Sequence, residues 1–201
     1  ALDVWYLGYP DRAVGYIEEA FEVASDPASS YCLSAVHQYA AILYQLRREP
    51  DKVLKHAALA MDMARLQGYE FRFATCNMLK GWARAELGEG DDGLAELRAG
   101  LAAHTSSGAR NSFPYFLGLL AEALMTTKNP LESLEAAIEA RRAITTRGFC
   151  YRAELLRIEG MARIELGDED QGRANLDQAL EVAREQGARS LELRIVASAG
   201  G

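Results

Sequence analysis

Three histidines, three cysteines and two acidic turns are the residues of this 201-residue chain that could do chemistry. His37, His56 and His104 could act as general bases, but none has a Ser, Cys and carboxylate set beside it in the sequence. Glu18-Glu19 and Glu165 with Asp168 are paired carboxylates of the kind found on solvated helical faces; nothing selects two of them as acid and base across a cleft. The turns Asp91-Asp92-Gly93 and Asp168-Glu169-Asp170-Gln171-Gly172 invite a calcium reading. The second starts as Asp-x-Asp, but its Gly comes one step early for an EF-hand and no Glu closes a twelve-residue loop. Negative charge matching helix N-termini explains both turns better. Cys32, Cys76 and Cys150 are odd in number and lack any Cys-x-x-Cys or Cys/His ligand spacing, which predicts reduced, mostly buried thiols and no structural zinc. The expectation is therefore a chain with no catalytic residue, no metal and no cofactor.

The elements that carry these residues repeat. Turn-like segments centred on Pro10, Pro50, Gly90, Pro130 and Asp170 recur about every 40 residues. Gly68, Gly108, Gly148 and Gly187 run in step with them. Each turn lies between two helix-like stretches. First helices are predicted over residues 30–47, 70–87, 111–127 and 150–166, with a stub at 1–7; second helices over 10–26, 50–67, 90–106, 130–147 and 170–186. Leu94, Leu97 and Leu101 have helical spacing, and Pro10, Pro50 and Pro130 suit a first turn, where no backbone N–H is missed. Gly81-Trp82-Ala83-Arg84-Ala85-Glu86-Leu87-Gly88 matches Gly160-Met161-Ala162-Arg163-Ile164-Glu165-Leu166-Gly167 at six of eight positions. In both, Leu-Gly closes the first helix, because Gly accepts the left-handed conformation. Small residues sit near the middle of first helices (Ala40, Gly81, Ala121, Gly160) and early in second helices (Ala13, Gly93, Ser133, Gly172), which predicts close helix approach.

The bulk numbers agree. Apolar residues make up 49 %, ample for a core, and charged residues an ordinary 25 %. A net charge of −7, with no basic cluster beyond Arg47-Arg48 and Arg141-Arg142, argues against nucleic acid as a partner. No apolar run reaches a membrane span and no signal peptide is visible, so the expectation is a cytoplasmic protein with no membrane partner. The pattern predicts an all-α solenoid of about five hairpins in one domain over 1–201. Its units lie approximately at 1–29, 30–69, 70–109, 110–149 and 150–189, with the start of a further helix at 190–201. Because the chain starts without Met and partway through a helix-like pattern, it reads as a fragment of a longer protein.

The small residue, Leu-Gly turn, small residue and Ala-rich second helix resemble the tetratricopeptide repeat (TPR), in units longer than the 34-residue form, and the resemblance implies a right-handed α-solenoid. More specific phrases are Leu7-Gly8-Tyr9-Pro10-Asp11-Arg12-Ala13, Pro114-Tyr115-Phe116-Leu117-Gly118-Leu119-Leu120-Ala121-Glu122-Ala123 and Gln186-Gly187-Ala188-Arg189-Ser190-Leu191-Glu192-Leu193-Arg194. They are similar to the C-terminal repeat region of large bacterial signalling ATPases that carry a nucleotide-cyclase or DNA-binding domain. The chain holds no Gly-x-x-x-x-Gly-Lys-Ser/Thr phosphate loop, so the resemblance implies regulation and not catalysis.

Aligned on the Leu-Gly turns, that resemblance puts His37, Tyr44, Met78, Trp82, Tyr115, Glu122, Glu154 and Arg157 on the concave wall as binding candidates. The expected function is protein or peptide binding, or ligand sensing, for a bacterial signalling protein. The alternatives are a small-molecule pocket between first helices and a structural module that self-associates through exposed repeat ends. The partner would be a protein or peptide, or the parent's own effector domains.

Overall fold

A computed structural model describes residues 1–24, 30–106, 112–144 and 150–200. Among them are eleven helices and no strand: α1 (Leu2–Tyr6), α2 (Pro10–Ala24), α3 (Ser30–Leu46), α4 (Pro50–Gln67), α5 (Glu70–Glu86), α6 (Gly90–Ser106), α7 (Phe113–Thr126), α8 (Pro130–Arg142), α9 (Arg152–Glu165), α10 (Glu169–Glu185) and α11 (Arg189–Ala199). The chain is all-helical, as its periodicity predicts. Two differences stand out. Helix α8 stops at Arg142, short of the expected 147, and α11 is a formed helix where only the start of one was expected. The turn glycines Gly108 and Gly148 lie outside the described residues.

Backbone chemistry sets the period. A residue with positive φ stands at Gly8, Arg48, Gly88, Lys128 and Gly167, in steps of 40, 40, 40 and 39 residues. Each lies in a helix-ending turn of one kind, in which the N–H of residue i+5 donates to the carbonyl of residue i. These bonds run from Tyr9 to Val4, Glu49 to Tyr44, Glu89 to Arg84, Asn129 to Leu124 and Asp168 to Arg163, at 2.8–3.1 Å. They satisfy carbonyls that the last helical turn would otherwise leave open. Glycine supplies the left-handed residue at three of the turns. Arg48 and Lys128 adopt it at a cost in backbone energy, and so carried no glycine signal in the sequence.

The small residues do what their positions predict. A Cβ added at Gly81 would lie 2.7 Å from the Gly93 carbonyl oxygen, and one at Gly93 would lie 2.5 Å from that of Gly81. Gly160 and Gly172 meet the same way, at 2.8 and 2.9 Å. In α7 and α8 the matching pair is Ala121 and Ser133, and there the Ser133 hydroxyl donates to the Ala121 carbonyl at 2.7 Å. All three crossings join residues twelve apart in sequence, so three hairpins share one geometry.

The helices cluster into two compact units, one of Ala1–Trp5 and Tyr9–Ala109, the other of Tyr6–Gly8 and Arg110–Gly201. Within the first, α2 to α6 pack in chain order and α3 also touches α5. Helices α4 and α6 make no close contact with each other and so leave a gap over α5. The core of this unit is built on Leu43, Leu46, Met78, Leu79, Trp82 and Leu97. Within the second, α7 to α11 pack in order, with α7 on α9 and α9 on α11. Its core holds Leu119, Tyr151, Leu155, Leu156, Ile158 and Leu191. Each buried side chain of this size contributes about 1.5–3 kcal/mol.

Candidate functional site

The eight residues that the sequence assigns to a concave wall fall into three different settings. Met78 and Trp82 are fully buried in α5, with Arg48 lying over the Trp82 ring at 5.7 Å. Neither offers surface to a ligand. Both face inward because α5 is covered by α3, α4 and α6 together, a burial that the two-helix hairpin pattern alone does not reveal.

His37 and Tyr44 lie together on α3. The Nδ1 atoms of His37 and His56 are 3.0 Å apart, so one ring donates to the other. Phe21 packs on both imidazoles with ring centroids 4.7 and 5.6 Å away, and Tyr44 stacks on His56 at 5.4 Å. Burial pushes the His56 pKa down to about 4, helped by His37, Lys55 and Lys52; burial and Lys55 lower that of His37. A positive surrounding and a neutral, stacked imidazole pair suit packing better than base catalysis. His104, on α6, is buried against Phe71, which also lowers its pKa.

Tyr115, Glu122, Glu154 and Arg157 come together in the second unit, and here the sequence grouped residues that do meet. Arg157 donates to the fully buried Glu154 carboxylate at 2.9 Å and lies 3.9 Å from Glu122. Arg194, on α11, donates to the same Glu154 oxygen at 3.0 Å. The Tyr151 hydroxyl donates to Glu122 at 3.2 Å, and Arg157 also reaches the Ser198 hydroxyl at 3.2 Å. Tyr115 sits edge-on to Tyr151 with centroids 5.0 Å apart. Two carboxylates face two guanidiniums, so the charges cancel locally and Arg157 is already engaged. The cluster ties α7, α9 and α11 together.

Sequence reasoning passed over two further features. Glu159, also buried, accepts from Arg141 of α8 at 2.5 Å and from Asn175 of α10 at 3.5 Å. Its position one residue before the crossing Gly160 was the available signal. The other is an open groove of about 560 Å³ in the first unit. It is lined by the small residues Ala64, Ala74, Ala99, Gly100 and Ala103, by the aromatic Tyr69 and Phe73, and by the polar Arg65, Glu70 and Asn77. It occupies the gap left where α4 and α6 separate over α5. A second groove, of about 390 Å³, is lined by Leu2, Tyr16, Ile17, Ala20, Val36 and Tyr39.

The thiols are more exposed than expected. Only Cys76 is buried, which pushes its pKa up to about 12; Cys32 and Cys150 are exposed. Asp168 accepts from Arg163 at 3.1 Å and Asp92 from Arg84 at 2.7 Å, so both acidic turns close on their own first helix. Among the described residues no group of three or more His, Cys, Asp or Glu side chains could hold a metal ion, and no helix is long and apolar enough to cross a membrane. No family model matches the chain, and no curated protein is significantly similar to it.

Proposed function

We infer that the chain is a non-catalytic, TPR-like right-handed α-solenoid that binds a protein or peptide as the regulatory segment of a cytoplasmic bacterial signalling protein. The observation that carries this reading is the left-handed residue at 8, 48, 88, 128 and 167, each within one kind of closing turn. A turn that recurs about every 40 residues makes each hairpin a unit that buries its apolar face only against its neighbours. Contacts between alternate helices, α3 with α5, α7 with α9 and α9 with α11, support the same reading, because a solenoid lines one surface with its first helices. The two clusters of ionisable groups support a binding role over catalysis: one is a stacked, neutral histidine pair and the other a charge-balanced network. The bacterial signalling parent rests on the resemblance of the sequence phrases.

Selection of a random peptide library on the immobilised chain tests this. Recovery of a consensus motif that binds in solution, with no hydrolysis of ATP and no cyclic nucleotide formed, is the expected result. A chain that selects no motif, or that turns over ATP and loses this on mutation of its own acidic residues, contradicts it.

A further inference from the structure

The groove over α5 differs from the charged cluster of the second unit in having charges that are not used up. Arg65 lies on the groove rim with its guanidinium carbon 5.3 Å from the Phe73 ring centroid. It forms no ion pair with any described carboxylate. Glu70, on the same rim, likewise forms none with a described cation. The two lie in one groove and do not pair with each other. Stacking on Phe73 holds the guanidinium in place, so little side-chain freedom is lost when it binds a carboxylate. The Ala and Gly residues that line the same groove carry side chains no larger than a methyl group. At Gly100 a Cβ would overlap the buried Met78 side chain, so glycine is what lets α6 lie close to α5 beside the groove. The volume of about 560 Å³ lies within the range of about 300–1,000 Å³ that holds small ligands.

We propose that this groove binds a short apolar peptide with free ends, its carboxylate on Arg65 and its ammonium on Glu70. Its aliphatic side chains lie against the Ala/Gly lining and the rings of Tyr69 and Phe73. The proposal rests on the reading of the chain as a binding domain and names the site and ligand chemistry. A simple anion leaves Glu70 repelling it and a simple cation does the same at Arg65, so a ligand with both charges fits the rim best. Asn77 already donates to the Glu96 carbonyl at 3.2 Å, which fixes its amide at the edge of the groove.

The test is calorimetric titration of the chain with Leu-Leu-Leu, its N-acetyl form and its C-terminal amide. Saturable binding of the free tripeptide is expected, weakened about tenfold by blocking either end. Arg65→Gln should weaken the free tripeptide by the same factor and abolish the difference between acid and amide. Glu70→Gln should abolish the difference between free and acetylated amine. Ala103→Trp fills the groove from an exposed position and should remove binding while leaving the melting temperature unchanged; Ala99→Tyr serves if that variant does not fold. Absence of saturable binding, equal binding of all three forms, or binding unaffected by Ala103→Trp overturns the proposal. Motifs from the library selection that still bind Ala103→Trp would leave the general binding function standing and remove only this site.

Discussion

The hairpin of α5 and α6 and that of α9 and α10 share a glycine crossing and a closing turn, yet polar groups beside them are used in opposite ways. In the first unit, Arg65 and Glu70 both line the α5 groove and form no ion pair with each other or with another described residue. Beside α9, Arg157 and Arg194 are spent on Glu154, under a cover of Tyr151 and Ser198. A repeat therefore fixes where helices cross and leaves open whether a charge holds the fold or waits for a ligand. Burial decides between the two, because a buried carboxylate must be paired inside the protein.

The largest expected effect tests the structural half of that contrast. Glu154→Ala leaves Arg157 and Arg194 facing a cavity without their shared acceptor, and should cost about 3–5 kcal/mol in chemical denaturation. A loss below about 1 kcal/mol would show that the network does not hold α7, α9 and α11 together.

Gly81→Leu and Gly160→Leu come next. Each drives a side chain into a facing backbone carbonyl and should cost about 1–3 kcal/mol or more, by similar amounts in the two units. If both variants melt like the parent, the shared crossing is not the packing contact it is taken to be.

Lys128→Gly should go the other way. It relieves a left-handed non-glycine residue and should stabilise by about 1 kcal/mol, raising Tm by roughly 2–4 °C. The same change at Arg48 should gain less, since Arg48 also covers Trp82. A fall in Tm for Lys128→Gly would mean that its side chain contributes more than its backbone costs.

Much of the fold was legible because backbone and small-residue signals are local. Leu-Gly, Pro at a helix start and a twelve-residue spacing of small residues are set within one hairpin. What sequence could not order was burial. Trp82 and Met78 have the spacing of a groove face, but α3, α4 and α6 all pack on α5 and bury these two side chains. The meeting of Glu122, Glu154 and Arg157 could be anticipated from the repeat register. That Arg194, 40 residues beyond Glu154, completes the cluster could not, because α11 was expected only as the start of a helix. The α5 groove was missed for a related reason: it is the space between two second helices, and empty space has no residue pattern.

Acid sharpens the account of the first unit. The His56 pKa is held near 4, below the usual 6.5, so between these values the unfolded chain binds more protons than the folded one. Its contribution to stability is complete above about pH 6.5 and is lost as pH falls towards 4. His56→Gln should flatten that part of the Tm-versus-pH curve. An unchanged slope would place the acid sensitivity elsewhere.

The smallest expected effect on stability belongs to a residue on which binding is expected to depend. Arg65→Ala should change stability by no more than about 0.5 kcal/mol, because no described carboxylate depends on it. The most direct measurement is an amide chemical-shift map of the labelled chain titrated with Leu-Leu-Leu. Shifts concentrated at residues 64–77 and 99–103, needing about tenfold more tripeptide to reach half-saturation in Arg65→Ala, are predicted. Shifts centred instead on Tyr115, Glu122, Glu154 and Arg157 would contradict the account, showing that the charge-balanced cluster opens to ligand and that the groove does not.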